Sequence, residues 1–367
     1  MRLNRLDILN FKNFAEAHIE FAAGVNCLVG NNGVGKTNVL DAVYYLSMCK
    51  SHTARTDQAT IRYGQENMML QGHYTRREAE ERITIGLQRG KRKIVKRGDK
   101  EYERLSQHIG LIPIVVVAPG DWDLIRGGGE ERRRLLDQII SQTDAEYLEA
   151  LIRYNRALEH RNKLLRQQVN DTILYESVEH AMETAAEIIF RRRTEFVDRF
   201  TPIFLRHYQA IATDDEQVKL TYQSHLAQAG MPTLLNQNRA RDLALGFTSV
   251  GTHRDDLALT LNNHAMRNAG SQGQCKTYTI ALRLAQFEFL KQSSNLTPLL
   301  LLDDIFDKLD TNRVERIVEI VAGEQFGQIF ITDTNRDHLD RIIANTPGEH
   351  RLFHVADNTI SYNPNSQ

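Results

Sequence analysis

Cysteine is scarce in this chain: three residues among 367, with Cys27, Cys49 and Cys275 far apart. They form no C-x-x-C pair, so neither a zinc site nor a disulfide framework is expected. The thirteen histidines are scattered and never form H-E-x-x-H. No apolar run approaches the roughly 20 residues that a membrane-spanning helix needs. The first ten residues alternate polar and apolar positions and lack the unbroken apolar core of a signal peptide. A cytoplasmic protein with no membrane partner is the expectation. Net charge is also lacking, at −1, so bulk charge gives no argument for a nucleic-acid partner. Local charge is uneven, however. Arg89 to Arg97 reads R-G-K-R-K-I-V-K-R, and arginine triplets stand at Arg132–Arg134 and Arg191–Arg193. Such runs are commonly solvated faces, but three in one chain make contact with a phosphate backbone an expectation to test.

The order of patterns along the chain predicts an α/β protein interrupted by helices. Leu3, Leu6, Ile8 and Phe11 alternate as a strand would, and Val25 to Val29 is a short buried strand ending in a glycine-rich loop. Asn38 to Met48 has the apolar spacing of a helix on a sheet. Residues 60–96 look like β-hairpins punctuated by Gly72, Gly86 and Gly90. Leu111 to Val117 is a β-branched strand. From Glu130 to about Arg206 the chain is Glu/Arg-rich and helical. Leu148, Leu151, Leu158 and Leu165 form one apolar stripe; Val178, Ala181, Ala185, Ile188, Phe196 and Phe200 form another. A break near Asn170-Asp171 predicts an antiparallel helical hairpin. Beyond Gly246 come a strand at Leu257–Leu261, a helix at Gln274–Gln292, a buried strand at Leu299–Leu302, a helix at Arg313–Val321 and a strand at Gln328–Thr332. The expected organisation is one α/β domain built from residues 1–119 and 246–367, with residues 120–245 as a mainly helical insert.

Three motifs carry chemistry. Gly30-Asn31-Asn32-Gly33-Val34-Gly35-Lys36-Thr37 is a full G-x-x-x-x-G-K-T between a predicted strand and a predicted helix, the context that identifies a P-loop. Its glycines let backbone N–H groups curl around phosphate oxygens, helped by the helix N-terminus. Lys36 is then expected to reach the β- and γ-phosphates of ATP, and Thr37 to offer a hydroxyl to Mg²⁺. Next, Leu299 to Leu302 deliver Asp303 and Asp304 to a strand's C-terminal edge, beside the P-loop, where open α/β sheets bind nucleotides. Asp303 fits the Mg²⁺-side acid of a Walker B strand, and Asp304 the carboxylate with which ABC ATPases polarise the attacking water. Finally, Ser271-Gln272-Gly273-Gln274 precedes a long helix and resembles the S-G-G-Q signature of ABC ATPases. In that class Ser271 and Gly273 would bind the γ-phosphate held by the opposite subunit. Asp307 to Asp310 follows at D-loop spacing, and Thr332-Asp333-Thr334 stands where the ABC switch residue sits. The expected fold is an ABC-type P-loop head formed by both ends of the chain.

The resemblance narrows further. L-x-I-L-N-F-K-N-F (Leu6 to Phe14), G-N-N-G-V-G-K-T-N (Gly30 to Asn38), Leu40-Asp41-Ala42, Lys50-Ser51, Pro119 with Asp121, Arg132 to Asp137, Gly251 to Leu257 and Ser271 to Lys276 together resemble the RecF family nearly end to end. Gly120, Thr252 and Lys308 depart from its pattern. The resemblance implies a slow, DNA-stimulated ATPase of recombinational and replication-gap repair. Members bind duplex and gapped DNA, dimerise with ATP, and work with RecR and RecO to load RecA at single-stranded gaps. It also implies that Lys12 and Asn13 lie near the adenosine and phosphates, and that Asn38 belongs to the nucleotide loop. Long-armed SMC proteins share such a head, but Thr37 and Ser271 stand too close in sequence for arms of several hundred residues. A P-loop kinase of small metabolites needs neither the signature nor a D-loop. A transporter's ATPase subunit usually has a shorter helical insert.

Overall fold

The computed structural model describes residues 1–212, 216–305, 316–317, 319–320, 323, 326–345 and 348–362. By its internal contacts the chain forms two compact units: Met1–Asp121 with Gln286–Gln367, and Trp122–Ala285. The segment 246–285, assigned from sequence to the ATPase domain, packs with the second unit. The D-loop residues Asp307 to Asp310 and most of the helix expected at Arg313–Val321 lie outside the described residues.

The first unit opens with β1 (Arg2–Phe11), β2 (Phe14–Glu20), β3 (Val25–Val29) and α1 (Lys36–Met48), followed by β4 (Asn67–Arg76), β5 (Ala79–Gln88), β6 (Ile94–Arg97), β7 (Lys100–Glu101) and β8 (Ile114–Val117). Six of these strands form an antiparallel sheet in the order β2-β1-β4-β5-β6-β7. Its alternation is that of a sheet with one wet face. Leu6, Ile8, Leu70, Ile83, Ile85 and Val95 point into the core. Helix α1 is buried nearly all round, from Val39 to Met48, as a helix packed by both of this unit's sheets must be.

The second unit contains α2 (Asp123–Arg126), α3 (Gly129–Ser141), α4 (Ala145–Arg166), α5 (Thr172–Ile211), β9 (Val218–Gln223), α6 (Met231–Leu245), β10 (Asp256–Leu261), β11 (His264–Ala265), α7 (Met266–Ala269) and the start of α8 (Gln272–Ser294). Helices α4 and α5 are the expected hairpin, and Asp171 caps α5 by accepting from the Ile173 and Leu174 N–H groups. The buried face of α4 differs from the leucine stripe read in the sequence. It is Tyr147, Ala150, Tyr154, Ala157, Arg161 and Leu165, while Leu148, Leu151 and Leu158 are only half-buried. β10 pairs with β9 and β11 in a three-stranded sheet, and with no strand of the first unit, which is why 246–285 belongs with the helices.

The first unit closes with β12 (Leu299–Asp303), β13 (Ile329–Asp333), α9 (Arg336–Asn345), β14 (His350–Ala356) and β15 (Thr359–Tyr362). They complete a sheet in the order β15-β14-β3-β13-β12-β8. All its pairs are parallel except β14–β15. Strands β3, β8, β12 and β13 are buried at every position, which explains why their sequences are mostly apolar instead of alternating. The parallel register puts the ends of β3, β13 and β12 at one edge. Val29 lies beside Asp333, and Thr332 beside Asp303. Among the described residues no helix is long and apolar enough to cross a membrane.

Candidate nucleotide site

The loop from Gly30 to Gly35 leaves the end of β3 and turns directly into α1. Gly35, at the helix N-cap, has φ 112°, and a Cβ there would stand 2.4 Å from Asn13 Nδ2. Only glycine meets both conditions. The Lys36 side chain folds back over this loop, and its Nζ donates to the carbonyls of Gly30 at 2.8 Å and Asn31 at 3.1 Å. The ammonium is buried, at 4% exposure, against a glycine-rich loop of the type whose N–H groups can hold anions.

Thr37 reaches across to β12: its hydroxyl donates to Asp303 Oδ1 at 2.9 Å. β13 intervenes between the P-loop strand and the aspartate strand, so the acid stands one strand further away than "beside the P-loop" implies, and the threonine spans the gap. The intervening strand contributes Thr332, whose hydroxyl donates to the same Asp303 oxygen at 2.7 Å. That hydroxyl accepts in turn from the Asp304 N–H at 3.1 Å. Asp304 is half-buried and has φ 44°, the left-handed region that aspartate enters more readily than most residues. Thr37, Asp303, Thr332 and Asp304 thus form one hydrogen-bonded chain. Its hydroxyl and carboxylate oxygens are hard donors, the type that holds Mg²⁺ together with phosphate oxygens.

Asn13 and Lys12 occupy the turn between β1 and β2. Asn13 donates to the Val34 carbonyl at 3.1 Å and to Asn358 Oδ1 at 2.6 Å, and accepts from Asn38 Nδ2 at 2.7 Å. It therefore braces the P-loop from outside. The Lys12 ammonium pairs with Asp41 at 2.6 Å. The Asp41 carboxylate also accepts from the Ser51 hydroxyl and the His52 N–H. A cavity of about 730 Å³ opens beside them, lined among others by Lys12, Asn13, Arg62, Tyr63, Arg89 and Asn358. Tyr63 stands 97% exposed at its rim.

Ser271, Gly273 and Gln274 belong to the second unit, at the N-terminus of the 23-residue α8. Ser271 Oγ accepts from the Gln274 N–H, and Gln274 Oε1 from the Ser271 N–H. This is a reciprocal capping box, with Ser271 exposed. The motif thus caps the helix whatever else it binds.

Two further blocks singled out in the sequence pair with one another. Arg132 grips Asp256 through both carboxylate oxygens, at 2.7 and 2.9 Å. Arg193 binds Asp137 at 2.9 Å and Asp255 at 2.8 Å. Burial holds the Asp255 carboxyl above its ordinary pKa despite that guanidinium. His253 sits between the Tyr154 hydroxyl and the Thr248 carbonyl, and enclosure pushes its pKa down to about 4. Gly251, at φ 118°, lets this turn pass 2.4 Å from Tyr154 Oη, measured from where a Cβ would stand. Sequence reading found the P-loop and both aspartates. It marked Thr332 only as part of a switch-like triplet and Asp41 only as part of a family-like block, and it foresaw neither the Thr332 bridge, the Asp41 lock nor the part of Asn358.

Known proteins resemble the chain over nearly its whole length. The family described as "AAA domain, putative AbiEii toxin, Type IV TA system" matches residues 25–332. The DNA replication and repair protein RecF of Phocaeicola vulgatus is 50% identical over 364 residues, covering 98% of each chain. The solved structure of the recombination mediator protein RecF-ATPrS in the RecFOR pathway superposes with a TM-score of 0.88 at 26% identity, covering 98% of each chain. An Smc head domain with an extended coiled coil from Pyrococcus furiosus shares the fold, with a TM-score of 0.58 at 18% identity. Near-complete coverage at that level of identity, on a shared P-loop fold, means that the chain belongs to the RecF family of DNA replication and repair proteins.

Proposed function

We propose that the chain binds ATP with Mg²⁺ at the P-loop, dimerises head-to-tail around two nucleotides on DNA, and hydrolyses ATP to let go. The reading rests on the chain Thr37–Asp303–Thr332–Asp304 at the mouth of the glycine loop. Backbone N–H groups of Gly30 to Thr37 and the Lys36 ammonium take the phosphates. Lys36 exchanges its two loop carbonyls for β- and γ-phosphate oxygens. Thr37 and Asp303 hold Mg²⁺, which when bound neutralises phosphate charge. Asp304 orients the attacking water and accepts its proton. The cavity beside Asn13 and Lys12 receives the adenosine, with Asn13 and Asn38 keeping the loop in shape. Ser271, Gly273 and Gln274 serve the nucleotide of a second subunit, so residues 246–285 take part in catalysis from within the helical unit.

The RecFOR name of the matched structure supports a place in recombinational and gap repair. We place this chain in the cytoplasm, on duplex and gapped DNA, with RecR as direct partner, RecO as indirect partner, RecA loading as outcome, and DNA stimulating a slow ATPase.

A mixing experiment tests the shared site. Lys36→Ala and Ser271→Arg each spoil both sites of their own homodimers. A mixed dimer keeps one intact P-loop facing one intact signature. Mixing the two inactive variants should restore ATPase activity. No recovery where heterodimers are demonstrably formed overturns the head-to-tail arrangement.

A further inference from the structure

Three basic clusters in the sequence are candidates for touching DNA, and the structure separates them by what their charges already face. The two triplets are largely consumed inside the second unit. Arg132 and Arg193 are buried against Asp256, and against Asp137 with Asp255. Arg134 pairs with Glu130 and Glu131, and Arg192 with Asp144, Glu146 and Glu195. A guanidinium already facing carboxylates has little attraction left for a phosphate.

The run on β6 differs. Lys93 turns inward to Asp57, and Arg97 pairs with Glu81. The remaining cations are exposed. Arg89 and Arg92 donate to main-chain carbonyls, those of Gln65 at 2.9 Å and Glu103 at 3.0 Å. A carbonyl fixes a guanidinium without neutralising it. Lys91, Lys96 and Lys100 form no ion pair with a described carboxylate, even though Glu101 stands opposite Lys96 in register. Arg89, Lys91 and Arg92 lie in the stretch leading into β6, Lys96 on β6 and Lys100 on β7, the last strand at the open edge of the antiparallel sheet.

We infer that this β6–β7 edge, through Arg89, Lys91, Arg92, Lys96 and Lys100, is the surface that contacts the phosphate backbone of duplex DNA. The inference rests on the DNA-binding reading above. The competing role for such lysines is to guard an open sheet edge against pairing with another chain. Guarding requires charge at the edge; it does not require arginines held rigid by carbonyls with their charge left uncompensated.

The test uses the full chain with ATP and a fluorescent duplex of mixed sequence, titrated across a series of salt concentrations. Wild type should lose affinity steeply with salt. The triple variant Lys91→Gln, Lys96→Gln, Lys100→Gln should bind more weakly, with a log–log slope shallower by about 0.9 for each contact removed. Its ATP binding should match wild type, and the triple Lys→Arg variant should restore both affinity and slope. Arg134→Gln with Arg192→Gln should leave the slope unchanged. A glutamine triple with wild-type slope overturns the placement while leaving DNA binding itself intact. Wild type that shows no salt-dependent DNA binding overturns the underlying reading, and the placement with it.

Discussion

Thr332 uses one hydroxyl for two tasks, donating to Asp303 and accepting from the Asp304 main chain. Thr332→Val keeps the shape and deletes both bonds. A hydrogen bond to a charged group contributes about 1.5–3 kcal/mol, so hydrolysis should slow by roughly 10- to 100-fold. ATP affinity, set by the P-loop, should hold, and Thr332→Ser should recover the rate. A fall in ATP affinity as large as the fall in rate would mean that Thr332 only supports the fold. Position 304 calls for a particular substitution. At φ 44° asparagine is tolerated as aspartate is, whereas alanine adds backbone strain. Asp304→Asn should therefore isolate the chemistry. It should retain ATP, lower turnover by about 10²–10⁴-fold, and accumulate as an ATP-bound dimer in light scattering. At this scale the sequence is legible where chemistry is contiguous, as from Gly30 to Thr37. It is silent where partners meet through folding, as Thr332 meets Asp303 and Lys12 meets Asp41.

The helical hairpin shows how patterning is read correctly and its faces wrongly. Helices α4 and α5 stand where the break at Asn170-Asp171 puts them, yet their contact faces include Arg161 and Arg193, both buried. A stripe search that counts only apolar residues passes over an arginine whose charge is met by buried acids. Arg161 meets Asp242 and Glu179, just as Arg193 meets Asp137 and Asp255. Neighbours on α5 therefore predict opposite outcomes. Arg193→Met leaves buried Asp255 without its guanidinium and should cost about 3–5 kcal/mol. Arg192→Gln removes only half-exposed pairs and should cost under about 1 kcal/mol. Urea unfolding followed by circular dichroism distinguishes the two; equal costs would contradict the buried network. The same unit carries a pH dependence. His253 is held neutral, with its pKa lowered to about 4. The unfolded chain thus binds a proton that the folded one refuses between about pH 6.5 and 4. Stability should fall by up to about 3 kcal/mol as pH drops through that window. His253→Gln should remove that slope from the urea midpoint; an unchanged slope assigns it to other groups.

At the scale of the whole molecule, the α/β class and its assembly from both chain ends were legible in the sequence. The assignment of residues 246–285 was not, because β10 chooses β9 through pairing that no local pattern announces. Strands β14 and β15, absent from the sequence reading, complete the P-loop's surroundings. A Cβ on Gly30 would stand 2.3 Å from the Val355 carbonyl of β14. A chain ending at residue 345 should therefore keep a protease-resistant Trp122–Ala285 unit yet bind no ATP. Wild-type ATP affinity in that truncation would show the last strands to be dispensable.

The central position of β3 also orders events during synthesis. Its two neighbours, β13 and β14, are encoded about 300 residues after it. At about 5–20 residues per second the ribosome takes tens of seconds to deliver them. Until then β3 has neither partner, while the contiguous helical unit has all its strands and helices within one stretch of chain. The glycine loop thus comes out of the ribosome early and acquires its walls last. Under the reading proposed above, a chain still lacking β13 and β14 should not yet hold ATP, and ATP-driven pairing should be confined to finished copies.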